Sequence, residues 1–248
     1  MRLTVVGGCG AWPAAGQACS GYLVEHDGFR LLIDPGYAIV PRLLERIDAT
    51  DVDAVLVSHG HPDHCADLHP LLRARVLREE PAPALPVHTL PGAVDRILDL
   101  DEPGTLQDAF TLVEFAAGDQ FGVGPFQVQT WQLPHWVPNA GIRLAADGQV
   151  LAYTGDTGPS PAIVELARGA NLFLAEASFP EQVPARSAGY LSSARQAGRD
   201  AARAGAGQLL LMHLLPGTAP GLAEAAARAT FTGEVGVAHG GIVADLGP

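Results

Sequence analysis

The sequence predicts an α/β protein built as two mixed β-sheets packed face to face, with helices on the outer faces. Three observations lead there. Apolar β-rich runs occur both as hairpins and singly, helical patterns interrupt them along the whole chain, and the strict strand–helix alternation of a doubly wound parallel sheet is absent. At 248 residues the chain is long for one domain, yet two-sheet and α/β folds run to roughly 250 residues as one unit, so one domain over residues 1–248 is expected.

The elements follow in order. A strand is expected over residues 3–6, then strands 21–25 and 29–33 joined by a His26-Asp27-Gly28 turn, where Asp and Gly tolerate the backbone that a tight turn needs. Further strands are read at 54–58, 111–115, 126–132, 141–145, 149–153, 172–175 and 209–212, with a second hairpin turning at Ala146-Asp147-Gly148. Helical patterns occupy 66–77, 93–98, 161–168, 192–204 and 222–229, each bounded by Gly, Pro or polar residues. There is no internal repeat and no linker; the Pro-rich stretch 81–86 reads as a short loop.

Composition narrows the function classes. Apolar residues at 48% and charged residues at 17% are globular proportions. The most apolar stretches, 171–179 and 208–217, fall short of the ~18 residues that span a bilayer, and the first ten residues lack the layout of a signal peptide, so a cytosolic location without a membrane partner is expected. Cys9, Cys19 and Cys65 are odd in number and form no Cys-x-x-Cys pair, which argues for reduced thiols over a disulfide framework or a thiolate zinc site. The net charge of −12 repels a polyanion unless a local basic patch overrides it, so duplex nucleic acid is not an expected partner. The best patch, Arg195, Arg199 and Arg203 at four-residue spacing, reads as the solvated face of a helix. Lys is absent and Ala abundant, a pattern of genomic composition bias.

The chemistry begins at Ser58-His59-Gly60-His61-Pro62-Asp63-His64, directly after the apolar run Ala-Val-Leu-Val and before a helical pattern. A strand that ends here delivers His59 and His61 to one side at i and i+2, and the following turn brings Asp63 and His64 round to a second point, so one segment can serve two adjacent metals. Imidazole and carboxylate together suit zinc and other first-row divalent ions; magnesium or calcium would call for a shell almost wholly of oxygen. The plain alternative is a polar surface loop, but a packed His-x-His-x-Asp-His cluster at a strand end has little structural reason to exist.

At this motif the sequence resembles the metallo-β-lactamase superfamily, and within it the ribonuclease Z-like branch. The opening segment 3–36 resembles that branch's N-terminal sheet, with Asp34 where its Asp buttresses the metal loop. Leu133-Pro134-His135 and the following Pro138-Asn139-Ala140-Gly141-Ile142-Arg143 are similar to the segment that supplies the third histidine, Tyr153-Thr154-Gly155-Asp156-Thr157 to the Gly-Asp-Thr motif whose Asp bridges the metals, and Leu211-Met212-His213-Leu214 to the late strand-end histidine. The resemblance implies an αββα four-layer sandwich in which His59, His61 and His135 hold one divalent metal, Asp63, His64 and His213 hold another, and Asp156 touches both; the metals would be two zinc ions, with manganese or iron as alternatives. It also implies a homodimer. Taken singly, His135 and His213 fit satisfied core histidines and the Gly-Asp-Thr triplet a common turn; their joint position at strand ends is what makes the set specific. His26, His69 and His88 read as structural, and His239 as a residue the resemblance leaves without a role. Trp131 and Trp136 flank the His135 loop, and Trp136 can wall a pocket or fill the core.

Two divalent ions can lower the pKa of a bridging water from 15.7 to about 7, which supplies hydroxide as nucleophile without a Ser or Cys. Asp63 can bind metal and orient that hydroxide. The branch places a histidine acid before a Ser-Thr or Ser-Ser pair; here the place reads Gly189-Tyr190-Leu191-Ser192-Ser193, so Tyr190 stands in for the acid, and a phenol, a weaker acid than an imidazolium, serves only a fairly basic leaving group. Glu176 resembles the acidic partner of that histidine and is expected either to hydrogen-bond Tyr190 or to lie on the surface. The tRNA-gripping arm of tRNA-processing members sits between the third histidine and the Gly-Asp-Thr motif, yet His135 and Asp156 are only 21 positions apart. The first expectation is a phosphodiesterase acting on a small or single-stranded phosphodiester. A lactone or thioester hydrolase comes next, then a tRNA 3′-processing endoribonuclease, and from another class a non-catalytic metal-binding protein.

Overall fold

Runs such as Leu-Phe-Leu-Ala and Leu-Leu-Leu-Met, apolar at every position, are what a strand covered on both faces requires. The computed structural model describes residues 1–247 and buries these strands that way. The first half of the chain supplies β1 (Arg2–Gly7), β2 (Gly21–His26), β3 (Phe29–Ile33), α1 (Ile39–Leu44), β4 (Ala54–Leu56), α2 (Pro62–Cys65), α3 (Leu68–Val76), β5 (Leu85–Thr89), α4 (Asp95–Leu98) and β6 (Phe110–Glu114). The second supplies β7 (Gln120–Val123), β8 (Phe126–Leu133), β9 (Asn139–Ala146), β10 (Gln149–Tyr153), α5 (Ala162–Leu166), β11 (Leu172–Glu176), α6 (Ala194–Ala204), β12 (Gln208–Met212), α7 (Pro220–Arg228), β13 (Glu234–Val237) and β14 (Val243–Asp245).

These strands form two seven-stranded sheets, β14-β1-β2-β3-β4-β5-β6 and β13-β12-β11-β10-β9-β8-β7. Each sheet is antiparallel at one end and parallel at the other: β1 to β3 and β7 to β10 are meanders, whereas β3 to β6 and β10 to β13 run parallel. The halves thus share a strand plan without sharing a sequence repeat. One consequence decides where chemistry can sit. Strands β1, β3 and β4 point one way in the first sheet, and β8, β10, β11 and β12 one way in the second, so the loops after them gather at one edge, the position where open α/β sheets bind ligands.

Three apolar layers hold the sandwich. Alternation along each strand splits its side chains between the centre and an outer face: Leu31 and Ile33 enter the core between the sheets and Leu32 the layer under α1 and α3, while Leu172 and Leu174 face the centre and Phe173 and Ala175 the layer under α5 to α7. Fully burying each such leucine contributes roughly 1.5–3 kcal/mol. Helix α6 packs closely because Ala194, Ala197 and Ala201 face inward and Gly198 lies against α7, where a Cβ would come within 2.5 Å of the Ala227 carbonyl. Ser193 caps its start by accepting from the Gln196 N–H, and Gly205 ends it at φ 66°. Its arginines are a solvated face, as the spacing suggests, with Arg195 paired to Glu181.

The expected two mixed sheets with outer helices are therefore present. The helix read over 66–77 starts later, as α3, and Pro62-Asp63-His64 form a separate helical turn, α2, with proline at its first position. Among the described residues no helix is long and apolar enough to cross a membrane, and the three cysteines are buried and unpaired.

Candidate metal centre

Each strand end contributes one part. After β4, Val57 and Ser58 lead into the buried His59; Gly60 lets the chain pass the next loop, where a Cβ would come within 2.6 Å of the Ala93 carbonyl; α2 then turns Asp63 and His64 inward. Gly36, after β3, lies so close to α2 that a Cβ there would overlap the Asp63 carbonyl at 1.8 Å. His135 follows β8, Asp156 follows β10, and His213 follows β12 with a left-handed φ of 63°.

These residues converge in two groups. One ligand atom each from His59, His61, His135 and Asp156 lies within 4.8 Å of the others, and the same holds for Asp63, His64, Asp156 and His213. Asp156 is common to both. Its carboxylate stands 3.8 to 3.9 Å from His135 Nε2 and His59 Nε2 on one side, and 3.0 to 3.1 Å from His213 Nε2 and His64 Nε2 on the other. Asp63 Oδ2 is 3.1 Å from His213 Nε2 and accepts from the Ala11 N–H at 2.9 Å.

A second set of contacts fixes the ring orientations. Asp34, fully buried, accepts from Ser58 N–H at 2.7 Å, Ser58 O–H at 2.5 Å and Tyr153 O–H at 2.6 Å, and holds His64 Nδ1 at 2.7 Å. Ser58 Oγ meets His59 Nδ1 at 3.0 Å, the Tyr190 carbonyl meets His135 Nδ1 at 2.9 Å, and Ser178 Oγ meets His213 Nδ1 at 2.9 Å. Four histidines thus present Nε2 inward, because a partner holds Nδ1; His61 differs, its Nδ1 facing His135 Nε2 at 2.9 Å. Asn139 donates to the carbonyls of Thr154 and Asp156 at 3.1 and 2.8 Å, and Gly155 (φ 58°) leaves room for it, since a Cβ would come within 2.5 Å of Asn139 Oδ1.

Electrostatics and satisfaction test whether the donors fit a cation. Burial pushes His59 well below its ordinary value and holds it neutral. Burial also opposes charge on His64 and His213, but Asp156 and Asp63 overcome it, raising His64 well above 6.5 and His213 to about 10. Burial acts against the Asp63 and Asp156 carboxylates too, and the neighbouring imidazolium charges hold both below the usual range. Two protons on histidine therefore balance two carboxylates in the metal-free protein. Even so, His59 Nε2 is buried without a hydrogen-bond partner, an arrangement costing ~1–3 kcal/mol, and His64 Nε2 and Asp156 Oδ1 face each other at 3.1 Å as an ion pair without forming an aligned hydrogen bond. Convergent donors of imidazole and carboxylate type are what a first-row divalent ion satisfies.

All seven residues read from the sequence come together here. Tyr190 lies at the rim: its side chain is 41% exposed and stacks on Trp136 at 5.1 Å, and Trp136, 51% exposed, packs beside His135 and does not fill the core. The expectation for Glu176 is corrected, because it neither meets Tyr190 nor lies on the surface. It is 1% exposed and accepts from the backbone N–H groups of Ser178 and Ser192, and burial pushes its pKa to about 8. His239 is exposed, with Nδ1 near the Gly240 carbonyl. His26, His69 and His88 contact Asp147, Asp101 and Phe121 away from the two groups. The sequence reading missed Ser58, Asn139, Tyr153 and Ser178 as supports; for Asn139 the signal was its place in the segment after His135.

Imidazole and carboxylate groups at the strand-end edge of a two-sheet αββα sandwich define a metallo-hydrolase of the β-lactamase fold. The chain belongs to the β-lactamase superfamily, whose "Beta-lactamase superfamily domain" profile matches residues 29–214. It is 32% identical over 244 residues to the probable metallo-hydrolase YhfI of Bacillus subtilis, across 98% of this chain and 99% of that one. The crystal structure of that metallo-β-lactamase fold protein superposes with a TM-score of 0.89 at 30% identity, over 98% of this chain and 99% of the other. Ribonuclease Z of Kineococcus radiotolerans is 28% identical over 92% of this chain and 87% of its own. A diphosphatase from the PhnP family shares the fold, with a TM-score of 0.76 at 17% identity over 99% and 98% of the two chains.

Proposed function

We propose that the protein is a two-metal phosphodiesterase acting on a small phosphodiester. The carrying observation is that Asp156 is common to two groups of donors, each with buried atoms aimed inward. His59, His61 and His135 would hold one ion, Asp63, His64 and His213 the other, and Asp156 both, with zinc the ion the donor set suits best. When bound, such a pair acidifies water for attack and neutralises charge on the transition state.

The chain's own residues have distinct parts. Asp63 would orient the attacking water, its carboxylate fixed by the Ala11 N–H. Tyr190 would give its phenolic proton to a basic leaving oxygen, and Trp136 stacked on it offers an aromatic shelf for a substrate ring. A small substrate is supported by the net charge of −12 and by the β9–β10 hairpin, which takes up the 21 positions between His135 and Asp156. Ribonuclease Z of Kineococcus radiotolerans, 28% identical to this chain, is by its name an enzyme of phosphodiester chemistry, which supports the same reaction class.

The test is a panel of bis(p-nitrophenyl) phosphate, chromogenic lactones and thioesters, and a precursor tRNA, offered to metal-loaded protein. The proposal expects the diester to be turned over far faster than the tRNA is cut. Preferred turnover of a lactone or thioester would move the assignment to that chemistry. Site-specific 3′ cleavage of the tRNA would restore a ribonuclease, and no turnover at all would leave a binding protein.

A further inference from the structure

A cavity of about 480 Å³ opens beside His61, and its walls belong to loops already fixed to the donor cluster. The loop after β5 brings Leu90 and Ala93, and α4, which follows it, brings Arg96; the loop after β8 brings Val137 and Pro138. Both loops are anchored. Gly60 lies against the Ala93 backbone, and Ala140 donates its N–H to the Ser58 carbonyl at 3.0 Å, so the cavity is part of the same framework as His59 and His61. The volume falls in the range of roughly 300–1,000 Å³ that small-molecule sites occupy, and can take a group the size of a nucleoside phosphate.

The lining is apolar except at two points, His61 at the metal end and the exposed Arg96. Several arginines are engaged with acids, Arg73 with Asp101, Arg78 with Asp48, Arg168 with Glu165, Arg195 with Glu181 and Arg228 with Glu224, whereas Arg42, Arg46, Arg186 and Arg199 enter no ion pair among the described residues but do not line the cavity. Arg96 enters no such ion pair among the described residues, and its neighbour Asp95 lies against the Gly92 turn. What sets Arg96 apart is its place: it is an unpaired guanidinium lining the same apolar cavity as a candidate metal histidine, where its N–H donors are free to meet an anion that enters with the substrate.

We propose that this cavity binds the non-reacting side of the substrate and that Arg96 contacts a second anionic group there, so that the preferred diester carries a phosphate beyond the one attacked. This rests on the phosphodiesterase reading and narrows it to a substrate class. The apolar walls receive the body of the group, and Arg96 takes a terminal phosphate through paired N–H donors.

A matched pair of chromogenic esters isolates that phosphate: thymidine 5′-(p-nitrophenyl phosphate) with and without a 3′-phosphate. The unmodified, metal-loaded protein should show a kcat/KM about tenfold higher for the 3′-phosphorylated ester, carried by KM, as expected for one charge-assisted contact. Arg96→Gln should bring the ratio close to one, and Arg96→Lys should restore part of it. Because the readout is a ratio on one variant, a general loss of folded protein cancels. A ratio near one in the unmodified protein, or one unchanged in Arg96→Gln, would overturn the proposal while leaving the phosphodiesterase reading intact. If no diester is turned over, that reading fails, and calorimetry with thymidine 3′,5′-bisphosphate and thymidine 5′-monophosphate still decides this one. About tenfold tighter binding of the bisphosphate, lost in Arg96→Gln, supports it, and equal binding rejects it.

Discussion

Replacing Asp34 with Asn changes one atom of a buried network and should be felt both in stability and in metal affinity. The carboxylate is fully buried and faces four groups, Ser58 N–H, Ser58 O–H, Tyr153 O–H and His64 Nδ1, at 2.5 to 2.7 Å. An amide of the same shape keeps one acceptor oxygen and turns an NH2 group towards a donor. If the oxygen stays on the side of His64 and Tyr153, the Ser58 N–H loses its partner, which costs about 1–3 kcal/mol, and the His64 contact loses its ionic character, a further ~1.5–3 kcal/mol. The metal-free variant should therefore be about 3–5 kcal/mol less stable, against the 5–15 kcal/mol typical of a folded domain. At about 2–4 °C per kcal/mol for a chain of this length, Tm should fall by roughly 10 °C. Metal affinity should drop about 10- to 100-fold, because His64 loses the group that orients it and Ser58, which orients His59, loses its anchor. Urea unfolding after chelation reads the first effect, and competition with a chromogenic chelator the second. A variant within about 1 kcal/mol of the parent and within about twofold in metal affinity would refute the assignment of Asp34 as the support of this loop.

Other expectations follow from the same geometry. Asp156→Ala should empty both metal positions while His213→Ala mainly empties one, as read by metal content after gel filtration; equal losses would argue against a shared Asp156. Zinc binding to the chelated protein near neutral pH should release about two protons per chain, because His64 is held well above 6.5 and His213 at about 10. The stabilisation those protons give the metal-free state is complete below about 6.5 and lost as pH rises through about 10, so zinc affinity should climb across that interval; a pH-independent affinity would contradict the assignment. Tyr190→Phe should slow a diester with an alkyl leaving group more than one with a nitrophenolate leaving group, since only the former needs a proton; equal effects would remove Tyr190 from proton transfer.

The parts of the molecule legible in the sequence are those where chemistry restricts residue type. His59, His61, Asp63 and His64 are adjacent in the chain, and His135, Asp156 and His213 each close an apolar run, so strand ends could be matched to ligands before any contact was known. The supports were less legible because Ser58, Ser178 and Tyr153 are residue types with many ordinary uses; only their distance to an imidazole or a carboxylate gives them a role. Glu176 misled because Ala-Glu-Ala at a strand end reads as surface, whereas the Ser178 and Ser192 N–H groups that make its burial tolerable come from later in the chain. Helix α1 went unread for a local reason: it begins at Ala38 in a left-handed conformation without a side-chain cap, so it carries none of the usual start signals. Strands β7, β13 and β14 are three or four residues long, and two of them contain a glycine, too little for periodicity to register.

The central claim is that two ions sharing Asp156 carry phosphodiester hydrolysis, and it is tested most directly by adding zinc stepwise to chelated protein while following turnover of bis(p-nitrophenyl) phosphate. Activity should be negligible without metal and rise to saturation close to two equivalents per chain, with no rise in Asp156→Ala. Saturation at one equivalent, or turnover that persists in Asp156→Ala, would contradict it.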